Sequence, residues 1–85
     1  MELYPVQKSS PLSQNLSANG ETVRVEIYAG DLGKWILEVE DQFGNSTVWD
    51  DHFPSDQAAL DEAKKAIREE GIESLIGPPL GVSEL

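Results

Sequence analysis

Three carboxylates at matching positions of three predicted strands are the residues of this sequence best placed to do chemistry. Glu26, Glu38 and Asp50 each lie on the polar side of an alternating segment. Neighbouring carboxylates can bind a divalent cation, act as an acid–base pair or attract a cationic protein. Like charges that face each other in a sheet are destabilising, so their grouping calls for a physical explanation.

His52 would add a nitrogen ligand to the same side of the third strand. Asp50 and His52 are two residues apart, so both could contact one ion, with Glu38 as a third ligand. The chain has no cysteine and a single histidine, which excludes thiolate and multi-histidine metal sites. A divalent-metal or small-ligand site at Glu38, Asp50 and His52 therefore stands as an alternative function, although we expect no resident cofactor.

Catalysis is not expected from these residues, and we predict that the chain is not an enzyme. An open sheet surface lacks the concave, water-poor pocket in which side chains usually do chemistry. The sequence also contains no nucleophile elbow, phosphate-binding glycine loop or dinucleotide-binding fingerprint.

Three alternating segments must position the carboxylates. Residues 22–29, 34–41 and 46–53 each place apolar and polar side chains on opposite sides of a predicted strand. A loop at 31–33, with Gly33 at a positive φ, would place Val25 opposite Val39. A loop at 43–45 would place Trp49 opposite Val39 and Phe53 opposite Trp35. Both turns bury the same apolar side, which is typical of a foldable sequence.

A helix is predicted over residues 56–70, with Ser55 or Asp56 as its N-cap. Its apolar stripe has helical spacing and consists of Ala59, Leu60, Ala63, Ala66 and Ile67. Gly71 is suited to end the helix. Residues 72–76 could form either a short strand or a helical turn beneath the sheet.

The predicted fold class is α+β: a three-stranded antiparallel meander (β-β-β-α) with one C-terminal helix packed on its apolar side. This domain would span residues 22–76, between an irregular arm at 1–21 and a loose tail at 77–85. A short extra strand could come from either terminus, with Leu3, Tyr4 and Val6 as candidates in the arm. The same element order occurs in small bacterial modules and in the double-stranded-RNA-binding fold. Binding of RNA by that fold would require basic residues at the start of the helix, where this chain has Asp56 and Asp61.

The charge of the chain limits its partners. Its 85 residues include 16 acidic and 6 basic side chains, for a net charge of −10. Such a surface repels phosphate groups, so we expect no direct binding to nucleic acid or to anionic membranes. The absence of cysteine and of the basic and apolar regions of a signal peptide favours the cytoplasm.

These observations favour a small acidic accessory domain that acts by protein–protein contact. The predicted partner-binding residues are Glu26, Tyr28, Ile36, Glu38, Glu40 and Asp50. The acids would attract a basic protein, and Tyr28 and Ile36 would serve as apolar anchors. A mimic of nucleic acid is a variant of this hypothesis. An exposed edge strand would also allow a homodimer.

Overall fold

Four antiparallel strands form one sheet, in which they pair in chain order, in the computed structural model, which describes residues 8–78. The strands are β1 (Gln14–Ala18), β2 (Glu21–Ala29), β3 (Trp35–Glu40) and β4 (Ser46–Val48). The helix α1 (Asp56–Glu70) and a short 3₁₀ helix (Ile72–Leu75) follow. The predicted α+β class, with an antiparallel meander and one C-terminal helix, is confirmed, and the sheet contains one more strand than the meander.

The pairing of β2 with β3 has the predicted register. Val25 faces Val39, Ile27 faces Leu37 and Ala29 faces Trp35. In the connecting turn Gly33 has the expected positive φ of 74°, and Leu32 also has a positive φ, of 59°. Because alternate residues of a strand point to opposite sides, this register places the apolar halves of both strands on the helix side.

The extra strand, β1, lies within residues 1–21, so the predicted irregular arm is corrected for residues 14–18. Leu16 pairs with Val23, and Leu16 and Ala18 pack against the core. Asn19 and Gly20, with φ of 53° and 79°, form the tight turn into β2. β1 has few apolar residues among its Ser, Asn and Gln, so the sequence shows no clear alternation there. Leu3, Tyr4 and Val6 lie outside the described residues.

The turn at Gly20 gives a first testable prediction. A Cβ at this position would meet no atom within 4 Å, so a substitution there reports on the backbone alone. Since left-handed φ is unfavourable for residues other than glycine, Gly20→Ala should lower the free energy of unfolding by about 1 kcal/mol. Asn19→Gly is the control and should change it by less than about 0.5 kcal/mol. Urea denaturation measures both, and equal stability of the two variants would contradict the turn conformation.

The pairing of β3 with β4 differs from the predicted register. Thr47, rather than Trp49, lies opposite Val39, whereas the predicted pairing of Trp35 with Phe53 is confirmed as an isolated bridge. Both registers occur because the Trp49 N–H still donates to the Leu37 carbonyl (3.1 Å), and residues 50–52 then leave the sheet before Phe53 rejoins it. Asp51 alternates with Trp49 and Phe53 in the sequence, which predicts that it lies on the apolar side of a continuous strand. It is instead exposed in this segment, where its charge stays hydrated.

The helix has the predicted bounds and covers the apolar side of the sheet. Ser55 caps it by accepting a hydrogen bond from the Ala58 N–H at 3.0 Å, and Gly71 ends it with a φ of 88°. The segment after Gly71 forms a helical turn and not a strand, which decides between the two predicted alternatives. The buried core consists of Val23, Val25, Ile27, Leu37, Val39, Ala59, Leu60, Ala63, Ile72 and Leu75. No helix within residues 8–78 is long and apolar enough to cross a membrane.

Candidate interaction surface

The side of the sheet that faces away from α1 carries most of the predicted partner-binding residues. Across β2, β3 and β4 this outer face consists of Thr22, Arg24, Glu26, Tyr28, Ile36, Glu38, Glu40, Ser46 and Val48. The strand register arranges all of them except Thr22 in three rows. Arg24 faces Glu40, Glu26 faces Glu38 and Tyr28 faces Ile36, with Ser46 and Val48 extending the first two rows.

Glu26 and Glu38 are the centre of the outer face. They lie directly opposite each other on β2 and β3, and both are half-buried. Each carboxylate accepts a hydrogen bond from one neighbouring side chain. The Arg24 guanidinium forms an ion pair with Glu26 (Nε to Oε2, 2.6 Å), and the Tyr28 hydroxyl donates to Glu38 Oε1 at 3.1 Å. Two carboxylates are thus held side by side and are each only partly satisfied.

The ionisation of Tyr28 reports the electrostatic field of the outer face. Burial raises the pKa of its hydroxyl, and the hydrogen bond to Glu38 raises it further. The negative charges of Glu38 and Glu26 act in the same direction, because an anionic tyrosine would be repelled by them. Tyr28 therefore remains a protonated donor at neutral pH, beside two carboxylates.

Apolar side chains lie on both sides of the carboxylate pair. Ile36 is half-buried next to Tyr28, and Val48 lies beyond Glu38 with 52% of its surface exposed. The predicted neighbour of Glu38 at that position was Asp50, and this placement is wrong because β4 pairs two residues away from the expected register. Val48 takes the place of Asp50, so the outer face is less acidic and more apolar than the sequence indicated.

The residues of the alternative metal site are not assembled into one. Glu38 lies on β3, whereas Asp50 and His52 are exposed in residues 49–52, outside the strands. Among residues 8–78 no group of three or more histidine or acidic side chains could hold a metal ion. Glu40 remains exposed on the outer face, opposite Arg24.

Asp41 is a buried carboxylate that the sequence did not single out. Only 6% of its surface is exposed. Its Oδ1 accepts hydrogen bonds from the backbone N–H groups of Phe43 (2.9 Å) and Asn45 (2.8 Å). Its Oδ2 accepts from the Asn45 side chain (3.0 Å) and from the Gly77 N–H (2.7 Å). With four donors on two oxygens, Asp41 joins the β3–β4 turn to the chain after the 3₁₀ helix and has no capacity left for a ligand.

The ionisation of Asp41 follows from these contacts. Burial alone would raise the pKa of the carboxyl group. The hydrogen bonds from Gly77, Asn45 and Phe43 favour the charged form and outweigh burial, which lowers the pKa to about 2. A carboxylate that ionises so readily is a poor general acid or base near neutral pH, so its role is structural.

A shallow groove of about 200 Å³ borders the outer face at the end marked by Arg24 and Glu40. It also includes Asn15 and Gln42 in its lining. Pockets for small ligands usually have volumes of roughly 300–1,000 Å³, so this groove is small for such a role. The chain matches no family model, no curated protein and no solved structure. The outer face is therefore the feature of the described residues best suited to binding.

Proposed function

We propose that this protein is a binding module that holds a basic partner protein against its outer face. The observation that supports this most directly is the pair Glu26–Glu38, fixed side by side by the strand register and flanked by Tyr28, Ile36 and Val48. The partner would present a lysine or arginine to the two carboxylates and apolar side chains to their neighbours. The protein would act by this contact and not as an enzyme.

The two carboxylates repel each other, and a cationic partner would relieve this repulsion. Like charges directly opposite in a sheet cost about 0.2–1 kcal/mol. Arg24 engages Glu26, and no other ion pair is present within residues 8–78. A cationic group placed near both carboxylates would remove the repulsion and add charge-assisted hydrogen bonds. Because Glu26 and Glu38 are half-buried, this attraction is less weakened by solvent than it would be between fully exposed groups.

The apolar side chains of the outer face favour a protein as its partner over a dissolved cation. Interfaces commonly bury aromatic and aliphatic residues at the centre, with charged residues around them. Tyr28 and Ile36 pair across β2 and β3, and Val48 lies on the other side of Glu38. A strand or helix that carries alternating basic and apolar side chains would match this pattern.

The charge of the whole chain would assist the encounter. A net charge of −10 attracts a basic partner over long distances and raises the rate of association. The attraction weakens with salt, because the Debye length falls from about 10 Å at 0.1 M to about 3 Å at 1 M. The cysteine-free composition suits a reducing compartment, and we place the binding in the cytoplasm.

Two double variants of equal charge test this function. Glu26→Gln with Glu38→Gln removes two charges from the outer face, and Glu69→Gln with Glu70→Gln removes two from the exposed end of α1. Affinity capture from the native host with quantitative mass spectrometry would compare both with the wild type. We expect a basic protein to be depleted at least about tenfold by the outer-face variant and retained by the α1 variant.

The outer-face variant should remain folded, because it relieves repulsion. Its free energy of unfolding is expected to equal that of the wild type or exceed it by up to about 1 kcal/mol. A purified candidate partner should then bind the α1 variant and the wild type alike, and more weakly in high salt. If every captured protein is retained equally by both variants, the outer face is not a binding surface and the proposal is wrong.

A further inference from the structure

The edge of the sheet formed by β1 has an unusual composition. Residues 9–20 contain no charged side chain, and this is the longest uncharged stretch in a chain with 26% charged residues. Within residues 8–78, β1 has β2 as its only neighbouring strand. The least charged part of the sequence therefore forms a sheet edge.

The backbone of β1 has groups available for another strand. Ala18 and Glu21 flank the two-residue turn, and in such hairpins this closing pair exchanges backbone hydrogen bonds. Since bonded and non-bonded pairs alternate, Asn15 and Ser17 direct their N–H and C=O groups away from β2. Both side chains are exposed. Just before β1 in the chain, a side chain satisfies the edge of β2, because the Ile27 N–H donates to Ser13 Oγ at 3.0 Å.

Among the residues that the structure describes, β1 has no charge, proline or bulge of the kind that protects edge strands. Natural sheets shield their edges with charged side chains, proline, bulges or very short strands. β1 has five residues, Gln14 to Ala18, without charge or proline. The opposite edge is protected, because β4 has only three residues and is followed by the exposed Asp50 and Asp51. The two edges thus differ in the features that permit pairing with another strand.

We infer that β1 is the site at which two copies of this chain associate, as antiparallel strands about a twofold axis through Leu16. In this arrangement Asn15 pairs with Ser17 of the partner subunit, and Ser17 pairs with Asn15 of the partner subunit. The groups that point away from β2 then bond to each other. The two Leu16 side chains meet on the helix side of the sheets, where each is half-buried and packs against its own core.

Charge identifies a second copy as the occupant. Two chains of net charge −10 repel each other wherever their acidic surfaces meet. The uncharged edge is the place where they can approach with the least repulsion. β1 has no charge that would attract a basic partner, whereas the acidic outer face would attract one. The two binding events therefore have opposite salt dependence: salt strengthens the association of two acidic chains and weakens the capture of a cation.

Sedimentation equilibrium of the full chain tests the dimer. For the wild type at up to about 1 mM, we expect a monomer–dimer equilibrium that tightens as salt is raised from about 0.05 M to about 0.5 M. Asn15→Lys with Ser17→Lys places like charges opposite each other across the twofold axis and should weaken the dimer at least about tenfold. Asn15→Glu with Ser17→Lys places opposite charges there and should keep or strengthen it.

Circular dichroism of both variants establishes that they are folded before they are compared. The outer-face variant Glu26→Gln with Glu38→Gln should dimerise at least as well as the wild type, so failure of the proposed function and failure of this inference are distinguishable. A wild type that stays monomeric at every concentration and salt would overturn the inference. Equal dimerisation of the two β1 variants would overturn it as well.

A cross-link tests the register of the two strands. The chain has no cysteine, so Leu16→Cys introduces a single thiol. Directly opposite residues of antiparallel strands have Cα atoms about 4.5–5.5 Å apart, within the range of a disulfide. Mild oxidation should convert this variant to a covalent dimer, whereas Thr22→Cys on β2, one strand away from the edge, should stay largely monomeric. Equal cross-linking of both variants would contradict the twofold axis at Leu16.

Discussion

Leu37→Ala is expected to leave a large fraction of the protein unfolded at 25 °C. Leu37 is completely buried in β3, which lies between β2 and β4, and it faces Ile27 under α1. Truncation of a buried leucine removes apolar contacts and leaves a cavity, at a cost of about 2.7–5 kcal/mol. Native proteins have total stabilities of roughly 5–15 kcal/mol, and a domain of 85 residues belongs at the lower end because it buries less of its surface. The loss therefore approaches the whole stability of this domain.

Urea denaturation followed by circular dichroism measures this loss. Val48→Ala is the matched control, because Val48 is an aliphatic residue of the same sheet that is 52% exposed. Its free energy of unfolding should change by less than about 0.5 kcal/mol. A cost below about 1 kcal/mol for Leu37→Ala would mean that the core is not closed around this side chain.

The central part of the fold is encoded in local patterns. The alternation in β2 and β3 defines one apolar side. The turn between the two strands then selects the register in which Ile27 lies opposite Leu37. The bounds of α1 follow from a serine cap, an apolar stripe and Gly71, all of which act within a few residues. Local signals of this kind can be interpreted without knowledge of the rest of the chain.

β1 also has a local signal, in the turn that follows it. Asn-Gly is a preferred pair for the two-residue turn of a hairpin, and Asn19-Gly20 precedes the clear alternation of β2. With that turn recognised, Leu16 aligns with Val23 and the strand follows. The many polar residues of this segment indicate an irregular arm. They are equally compatible with an edge strand, because one of its two sides faces solvent.

The register of β4 is set by the turn that precedes it, which was predicted one residue too late. The loop is 42–44 and not 43–45, with Gly44 at a positive φ of 89° and the Asp41 N–H bonded to the Asn45 carbonyl (2.9 Å), and this shifts β4 by two residues. The turn before it is held by Asp41, whose carboxylate binds Asn45 and also the Gly77 N–H, 36 positions along the chain. This contact exists only after α1 and the 3₁₀ helix have folded back against the sheet. The turn chemistry of Asp41 therefore moved Val48 beside Glu38 and removed Asp50 from the outer face, while the β2–β3 register kept Glu26, Glu38, Tyr28 and Ile36 together.

Asp41→Asn is expected to lower the midpoint of thermal unfolding by roughly 10 °C at pH 7. Both oxygens of Asp41 accept hydrogen bonds only, from two donors each. An amide replaces one oxygen by an NH₂ group, which must then face two N–H groups whichever way it is oriented. The variant therefore loses two hydrogen bonds and brings donors together at a buried position. Glu69→Gln, on the exposed end of α1, is the control and should shift the midpoint by less than about 3 °C.

The pH dependence separates the charge of Asp41 from its shape. The pKa is about 2 in the folded protein, against about 3.9 for an unfolded aspartate. Between these values the unfolded chain binds more protons, so the contribution of Asp41 is complete above about pH 4 and is lost as the pH falls toward 2. All other carboxylates are common to the wild type and Asp41→Asn, so the difference between the thermal midpoints of the two proteins isolates this residue. We expect that difference to be constant from pH 7 to pH 5 and to narrow steadily below pH 4. A difference that stays constant down to pH 2 would show that the carboxylate charge does not hold the β3–β4 turn to Gly77.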